Sequence, residues 1–245
     1  MRSFLALFLF CVTLLMGGVS EATYDVSFGL FDRLGQAKAT YRTDGATYTI
    51  TIGAKATGMA AFLSGQREDT YESVGKIVEG RLRPDRYVTL SHTSSKTTRS
   101  TYLFDHTSRK IRHLKEELKG GHFTLKDDEV IDYYTVDDIL SLYFNLMPHL
   151  GTLKAGVKNG FIAVGANKTN GRVDVILATG EDRQELIDEL GGGAGDRYLR
   201  VIINQKIFSS ANGELALRVS KENICTKAIL SDVLFFGDIR GEIVR

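Results

Sequence analysis

The densest group of residues that could do chemistry is acidic. "KDDEVIDYYTVDD", residues 126–138, concentrates Asp127, Asp128, Glu129, Asp132, Asp137 and Asp138. Clustered carboxylate oxygens can hold calcium, but the spacing lacks the D-x-D-x-D-G order of a calcium loop. A solvated turn followed by acidic residues at the positive end of a helix accounts for the same run. The five histidines, His92, His106, His113, His122 and His149, form neither H-x-x-x-H nor H-E-x-x-H, so zinc has no recognisable ligand set. "GGGAGDR", residues 191–197, would need a strand before it and a helix after it to cradle a phosphate. Here the order is reversed, and a flexible turn after a helix is expected.

Nucleophiles fare no better. The chain has no G-x-S-x-G elbow. His106 follows Asp105 and serines are plentiful, but any strand-rich chain offers such combinations. Cys225 in "ENICTKA" reads as a small buried hydrophobe rather than a reactive thiol. Asn167-Lys168-Thr169 matches a glycosylation acceptor, which matters only on a eukaryotic secretory route. The expectation is a protein that is not an enzyme, with no catalytic residues, no metal and no cofactor.

The elements that would position any site are mostly strands. "YDVSFGLF" sets Tyr24, Val26, Phe28 and Leu30 on one face, and "AKATY" sets Ala37, Ala39 and Tyr41 on another. "TYTITI" aligns Tyr48, Ile50 and Ile52 after Asp44-Gly45, a strong short-range hairpin signal. Further alternating runs follow, with Arg83-Pro84-Asp85, Thr107-Ser108, Gly120-Gly121 and Thr169-Asn170-Gly171 read as turns. The fold expected is mainly β: a single antiparallel meander of about ten strands, residues 23–245, forming a closed or half-open β-barrel that hides its strand edges. "EDRQELIDEL" is a short helix candidate ended by the Gly191 run.

One other segment reads as a helix, and it is unusual. In "YYTVDDILSLYFNLMPHL", residues 133–150, Val136, Ile139, Leu140, Tyr143, Phe144 and Met147 make a full apolar stripe, and Leu142 and Leu146 lie outside it. A helix apolar nearly all round is buried on more than one side. Thr135 or Asp137 can cap it, and Pro148 marks its exit. It either packs on the curved sheet as core, lies across a barrel mouth and lines a cavity, or binds a partner. "TGMAAFLSG", residues 57–65, reads as an apolar loop over the rim, facing ligand or core. The candidate lining of an apolar site is therefore Met59, Phe62, Ile139, Leu140, Tyr143, Phe144 and Met147.

The whole chain sets the compartment. Of 245 residues, 43% are hydrophobic and 25% charged, which is ample for a core. "MRSFLALFLFCVTLLMGGVSEA" has a basic Arg2, an apolar run and a small-x-small ending at Ser20 and Ala22, the pattern of a secretory signal peptide over residues 1–22. No transmembrane span is expected after its removal. The 31 basic and 30 acidic residues each fall by one with the leader, a balance that offers no nucleic-acid footprint. Cys11 leaves with the leader, so no intrachain disulfide is expected.

Taken in order, "YDVSFGLFDRLGQAKATY", "YTITIGAKATGMAAFL", "GRLRPDRY" and "DDILSLYFNL" resemble the bacterial envelope family catalogued as domain of unknown function 3108. "GELALRVSKENICTKAILSDVLFFGDIRGEIV" is similar to its closing hairpin, with Ala216 where an aromatic is expected and Cys225 where a proline is expected. The resemblance implies an exported, periplasmic protein with a β-barrel-like fold and supplies no activity. The architecture is similar to that of lipoprotein carriers, which hold acyl chains between a curved sheet and helices. That is analogy of fold alone. The function expected is a non-catalytic Gram-negative envelope protein that binds a lipid or apolar small molecule between sheet and helix. The alternative is an envelope assembly or scaffold protein that contacts other envelope proteins through its surface.

Overall fold

The computed structural model describes residues 18–28, 31–57, 65–166, 170–203, 214–233 and 237–244. Eight strands come first: β1 (Gly18–Phe28), β2 (Phe31–Thr43), β3 (Thr47–Ala56), β4 (Glu68–Val78), β5 (Arg81–His92), β6 (Thr97–Asp105), β7 (Lys110–Lys119) and β8 (His122–Val130). Helix α1 (Ile139–Leu146) runs into a 3-10 turn (Met147–Thr152). Then come β9 (Asn159–Ile162), β10 (Arg172–Leu177), α2 (Gly180–Leu190), β11 (Arg197–Ile202), β12 (Glu214–Val219), β13 (Cys225–Val233) and β14 (Gly237–Val244).

All fourteen strands join one antiparallel sheet. Each pairs with the next along the chain except β8 with β9, and β1 also pairs with β14. The fold is thus a barrel-like meander with an unclosed seam, and the seam is where the chain leaves the sheet to form α1. About ten strands were expected; the count rises partly because the last apolar run folds back on itself as β13 and β14.

Alternation builds the inner face. Tyr24, Ala37, Ala39, Tyr41, Tyr48, Ile50 and Ile52 are all buried, as their spacing predicts. The β2–β3 turn is the expected Asp-Gly hairpin. Gly45 has φ 90°, and Asp44 Oδ1 accepts from the amides of Ala46 and Thr47 at 2.9 and 2.6 Å. Across the sheet one inner row runs Tyr41, Ile50, Ser73, Tyr87, Tyr102, His113. Ser73, fully buried, is the polar interruption in its first half.

Arg83-Pro84-Asp85 is not a turn. The β4–β5 turn lies at Glu79 and Gly80, both at positive φ, and Pro84 sits inside β5 at a bulge opposite Gly75. Proline donates no ladder hydrogen bond, so a bulge is where a strand tolerates it. Gly75 is required there, because a Cβ would lie 2.1 Å from the Arg83 carbonyl oxygen.

Helix α1 is also shorter than the sequence suggests. Its N-cap is Asp138, not Thr135 or Asp137, and all eight of its residues are buried, Leu142 and Leu146 included. Val136 precedes the helix and is 48% exposed. The α1 face packs into one large core with the inner sides of the strands. Helix α2 belongs to a smaller cluster: Leu186 and Leu190 meet Tyr198, Ala216 and Ile229. Their strand neighbours Leu199, Leu217 and Leu230 belong to the large core. Successive strand side chains point to opposite faces, so α1 lies inside the curve and α2 outside it. No helix of the described residues is long and apolar enough to cross a membrane, which says nothing about strands.

Candidate functional site

The segment between β8 and α1 crosses the seam. Ile131 donates its amide to the Ile111 carbonyl of β7 at 3.0 Å, which ties the start of the segment to one side. Its end is tied to the other side. Thr135 Oγ1 donates to the Ile162 carbonyl at 2.6 Å, and Val164 donates to the Asp137 carbonyl at 3.0 Å. Ile139, the first helical residue, donates to the Val164 carbonyl at 2.9 Å. The seam is bridged by this crossing chain rather than by a strand pair.

A pocket of about 300 Å³ opens beside the crossing. Its apolar walls are Val136, Leu142, Phe161 and Ile162, and its polar groups come from Arg109, Tyr134, Thr135 and Asp137. The volume lies at the lower end of small-molecule sites. Tyr134 is held in place by His106, whose Nδ1 is 2.8 Å from the phenol oxygen. The other ring nitrogen donates to the Pro84 carbonyl at 2.7 Å, so the bulge that frees that carbonyl also aims the imidazole. With Nε2 donating, Nδ1 of neutral His106 accepts from Tyr134. The Arg109 guanidinium lies 5.3 Å from the Tyr134 ring centroid.

Behind the pocket the two aspartates divide the work. Asp137 Oδ1 accepts from Asn145 Nδ2 at 2.7 Å and from Ser141 Oγ at 3.4 Å. Asp137 Oδ2 is 4.0 Å from Arg81. The Asn145 amide also pairs with Leu82 like a strand neighbour, accepting from its N–H and donating to its carbonyl, both at 2.8 Å. Asp138 is fully buried. Its Oδ1 accepts from the amides of Leu140 and Ser141 at 2.8 and 2.9 Å, and Ser141 Oγ accepts from the Asp138 amide at 2.9 Å, a closed capping box. Asp138 Oδ2 accepts from Ser73 Oγ at 2.5 Å, and Tyr48 OH lies 3.0 Å from that oxygen. Burial pushes Asp138 up to about 7 and raises Asp137 as well.

A carboxylate–hydroxyl chain of this kind can pass or hold a proton. Here Asp138, Ser73 and Tyr48 are at most 1% exposed, so its geometry ties the start of α1 to β3 and β4. Among the described residues no group of three or more His, Cys, Asp and Glu side chains could hold a metal ion. The acidic run is split by the fold. Asp128 pairs with Arg112 and Glu129 with His113 on the edge strand β8, while Asp137 and Asp138 are buried. Cys225 is buried, and Gly191 ends α2 at φ 66° with Asp196 accepting from the Gly193 amide.

Ile139, Leu140, Tyr143, Phe144 and Met147 are brought together in the large core, each at most 4% exposed. Phe144 stacks on Tyr41 at 5.1 Å between centroids. Met59 and Phe62 lie outside the described residues, as does Asn167-Lys168-Thr169. The pocket meets α1 through Leu142, a residue off the main stripe. Sequence reasoning did not find Arg109, Tyr134, Phe161, Ile162, Ser73 or Asn145. Only Asn145 carried a signal, as an amide inside an otherwise apolar helix.

The crystal structure of a beta-barrel-like protein of domain of unknown function DUF1849 from Brucella abortus is similar over 94% of this chain and 97% of that one, at 10% identity and a TM-score of 0.50. That likeness concerns the fold. No curated protein matches. The model of the family described as Protein of unknown function (DUF3108) matches residues 23–188. Residues 23–28 of β1, strands β2 to β10, the seam crossing, α1 and all but the last two residues of α2 fall within that stretch, and the chain belongs to the DUF3108 family.

Proposed function

We propose that this chain is an exported, non-catalytic envelope protein that holds an apolar or lipidic small molecule at the seam of its barrel. One observation carries the reading: a pocket of about 300 Å³ with four apolar walls lies where the sheet fails to close, beside a helix packed into the barrel. In this reading Ile139, Leu140, Tyr143, Phe144 and Met147 hold α1 against the sheet, so that Leu142 and Asp137 face the seam. Export is supported by the leader-like residues 1–22, whose last five, 18–22, pair with β2, so that cleavage after Ala22 would shorten β1 to residues 23–28. Non-catalysis is supported by the burial of the Asp138–Ser73–Tyr48 chain, each member at most 1% exposed and none of them on the pocket wall. The test is native mass spectrometry and solvent extraction of protein recovered from the periplasm of a Gram-negative host. A co-purifying apolar molecule is expected, and it should be lost in Val136→Asp protein, which remains folded by circular dichroism because Val136 is half-exposed on the pocket wall. Protein that is always ligand-free and takes up no added amphiphile would overturn the reading.

A second reading, assembly or scaffolding through surface contacts, is favoured by β8. Among the described residues its outer edge has no strand partner, and Leu125 and Val130 are more than half exposed, an arrangement open to strand addition. In-cell crosslinking from position 125 to another envelope protein would select it.

A further inference from the structure

We propose that the seam pocket selects a small amphiphilic anion, a carboxylate or phosphate head on Arg109 with its apolar tail against Val136, Leu142, Phe161 and Ile162. This rests on the reading that the pocket binds an apolar ligand, and adds the charge and size of that ligand.

Arg109 supplies the charge. It is exposed, lies on the pocket wall and makes no ion pair among the described residues. Its neighbours in the same sheet do otherwise. Arg99 is paired with Glu116 through two hydrogen bonds, and Arg112 with Asp128 likewise. What fixes the Arg109 head is the face of Tyr134, itself oriented by His106. A guanidinium held on an aromatic face keeps its edge free for an oxyanion, which it can meet with two parallel donors. The opposing carboxylate, Asp137, is less able to recruit a cation. Asn145 and Ser141 already donate to it, Arg81 stands 4.0 Å away, and its burial favours the neutral form.

The pocket walls supply the surface for the tail. Val136 and Ile162 are 48% and 47% exposed at the pocket, apolar surface that a tail would cover. A volume of about 300 Å³, at the lower end of small-molecule sites, suits a single short chain better than a whole diacyl lipid.

The test is calorimetric titration of the mature protein with four ten-carbon probes: decanoate, decyl phosphate, decanol and decylammonium. At low salt one or both anions should bind about five- to tenfold more tightly than decanol, with the advantage shrinking as salt rises. The tighter anion assigns the head as carboxylate or phosphate. Arg109→Gln should bring the anions down to the decanol value and leave decanol unchanged, and Arg109→Lys should restore part of the preference. Equal binding of anions and decanol overturns the anion assignment while the apolar-ligand reading stands. So does tighter binding of decylammonium, which would hand the head site to Asp137. Loss of all four probes in Arg109→Gln also overturns it, since Arg109 would then only shape the pocket. Failure of all four to bind the wild type removes both readings together.

Discussion

Helices α1 and α2 pack on the two faces of the same sheet by different means. All eight residues of α1 are buried, and its polar ends are satisfied inside the barrel by a capping box, Ser73 and the Asn145–Leu82 pair. Helix α2 buries only Leu186 and Leu190 of its eleven residues, and Arg200 of β11 anchors it through Asp182 and Glu185 while also reaching Glu214 of β12. A helix inside the curve has to satisfy its polar ends from the protein rather than from bulk solvent. A helix outside can leave its polar face to solvent and use ion pairs that water weakens. The inner helix should therefore be costly to perturb everywhere, and the outer one only along its apolar line.

Phe144→Asp is the largest test of this contrast. The ring is 4% exposed and stacked on Tyr41, so a carboxylate there is buried without a partner and leaves a cavity where the ring was. A loss on the order of 5 kcal/mol or more is expected, enough to prevent folding, read as loss of the cooperative urea transition. A folded variant of near wild-type stability would show that α1 is a detachable lid rather than core. Next comes Asp138→Ala. It removes the cap and strands the Ser73 hydroxyl and two amides in a dry site, at a cost of roughly 2–4 kcal/mol by the same measurement. Asp138→Asn keeps an acceptor for those amides and should lose about half as much or less.

The pH dependence of stability separates the helices again. Burial pushes Asp138 up to about 7, while an unfolded aspartate titrates near 3.9. Between those values the folded protein retains a proton that the unfolded chain has released, so stability falls as pH rises through the window and levels off above it. Asp137, raised by burial too, adds to the same slope. The difference in unfolding free energy between wild type and Asp138→Asn should move against the wild type by roughly 2 kcal/mol from pH 5 to 7. A difference constant with pH would mean that Asp138 is ionised in the fold. The carboxylates lowered by partners, such as Glu116 beside Arg99, act in the opposite sense, adding stability above the unfolded carboxylate range and losing it at lower pH.

How much of this was legible follows from distance along the chain. The meander, the Asp44-Gly45 hairpin and the inner rows are local matters of alternation and turn chemistry, and they are present as read. The over-apolar helix was recognisable as buried because Leu142 and Leu146 break any polar face. Its cap was misplaced by one residue because Thr135, Asp137 and Asp138 are all good capping types, and the choice is made by Ser73, sixty-five residues away. Pro84 misled because a proline marks a turn in most contexts, while its bulge depends on Gly75 across the strand pair. The pocket was invisible for the same reason. Arg109, Tyr134 and Ile162 sit on a turn, the crossing segment and a strand, and only the seam makes them neighbours.

The smallest effects belong to the outer helix and decide whether its ion pairs matter. Arg200 is about one-fifth exposed and meets three carboxylates at 2.5 to 2.6 Å, so it is the best-placed ion pair on α2. Arg200→Met should cost about 1 kcal/mol, because Asp182, Glu185 and Glu214 are each exposed enough to be rehydrated once the guanidinium is gone. Glu185→Gln removes the most exposed of the three partners, 70% accessible, and should cost about 0–0.5 kcal/mol, falling to nothing at high salt. Urea denaturation of both variants at low and high salt checks the pair. If Arg200→Met cost as much as Asp138→Ala, the outer surface of β11 and β12 would be as dry as the barrel interior, and the contrast between the helices would be one of residue type rather than of access to water.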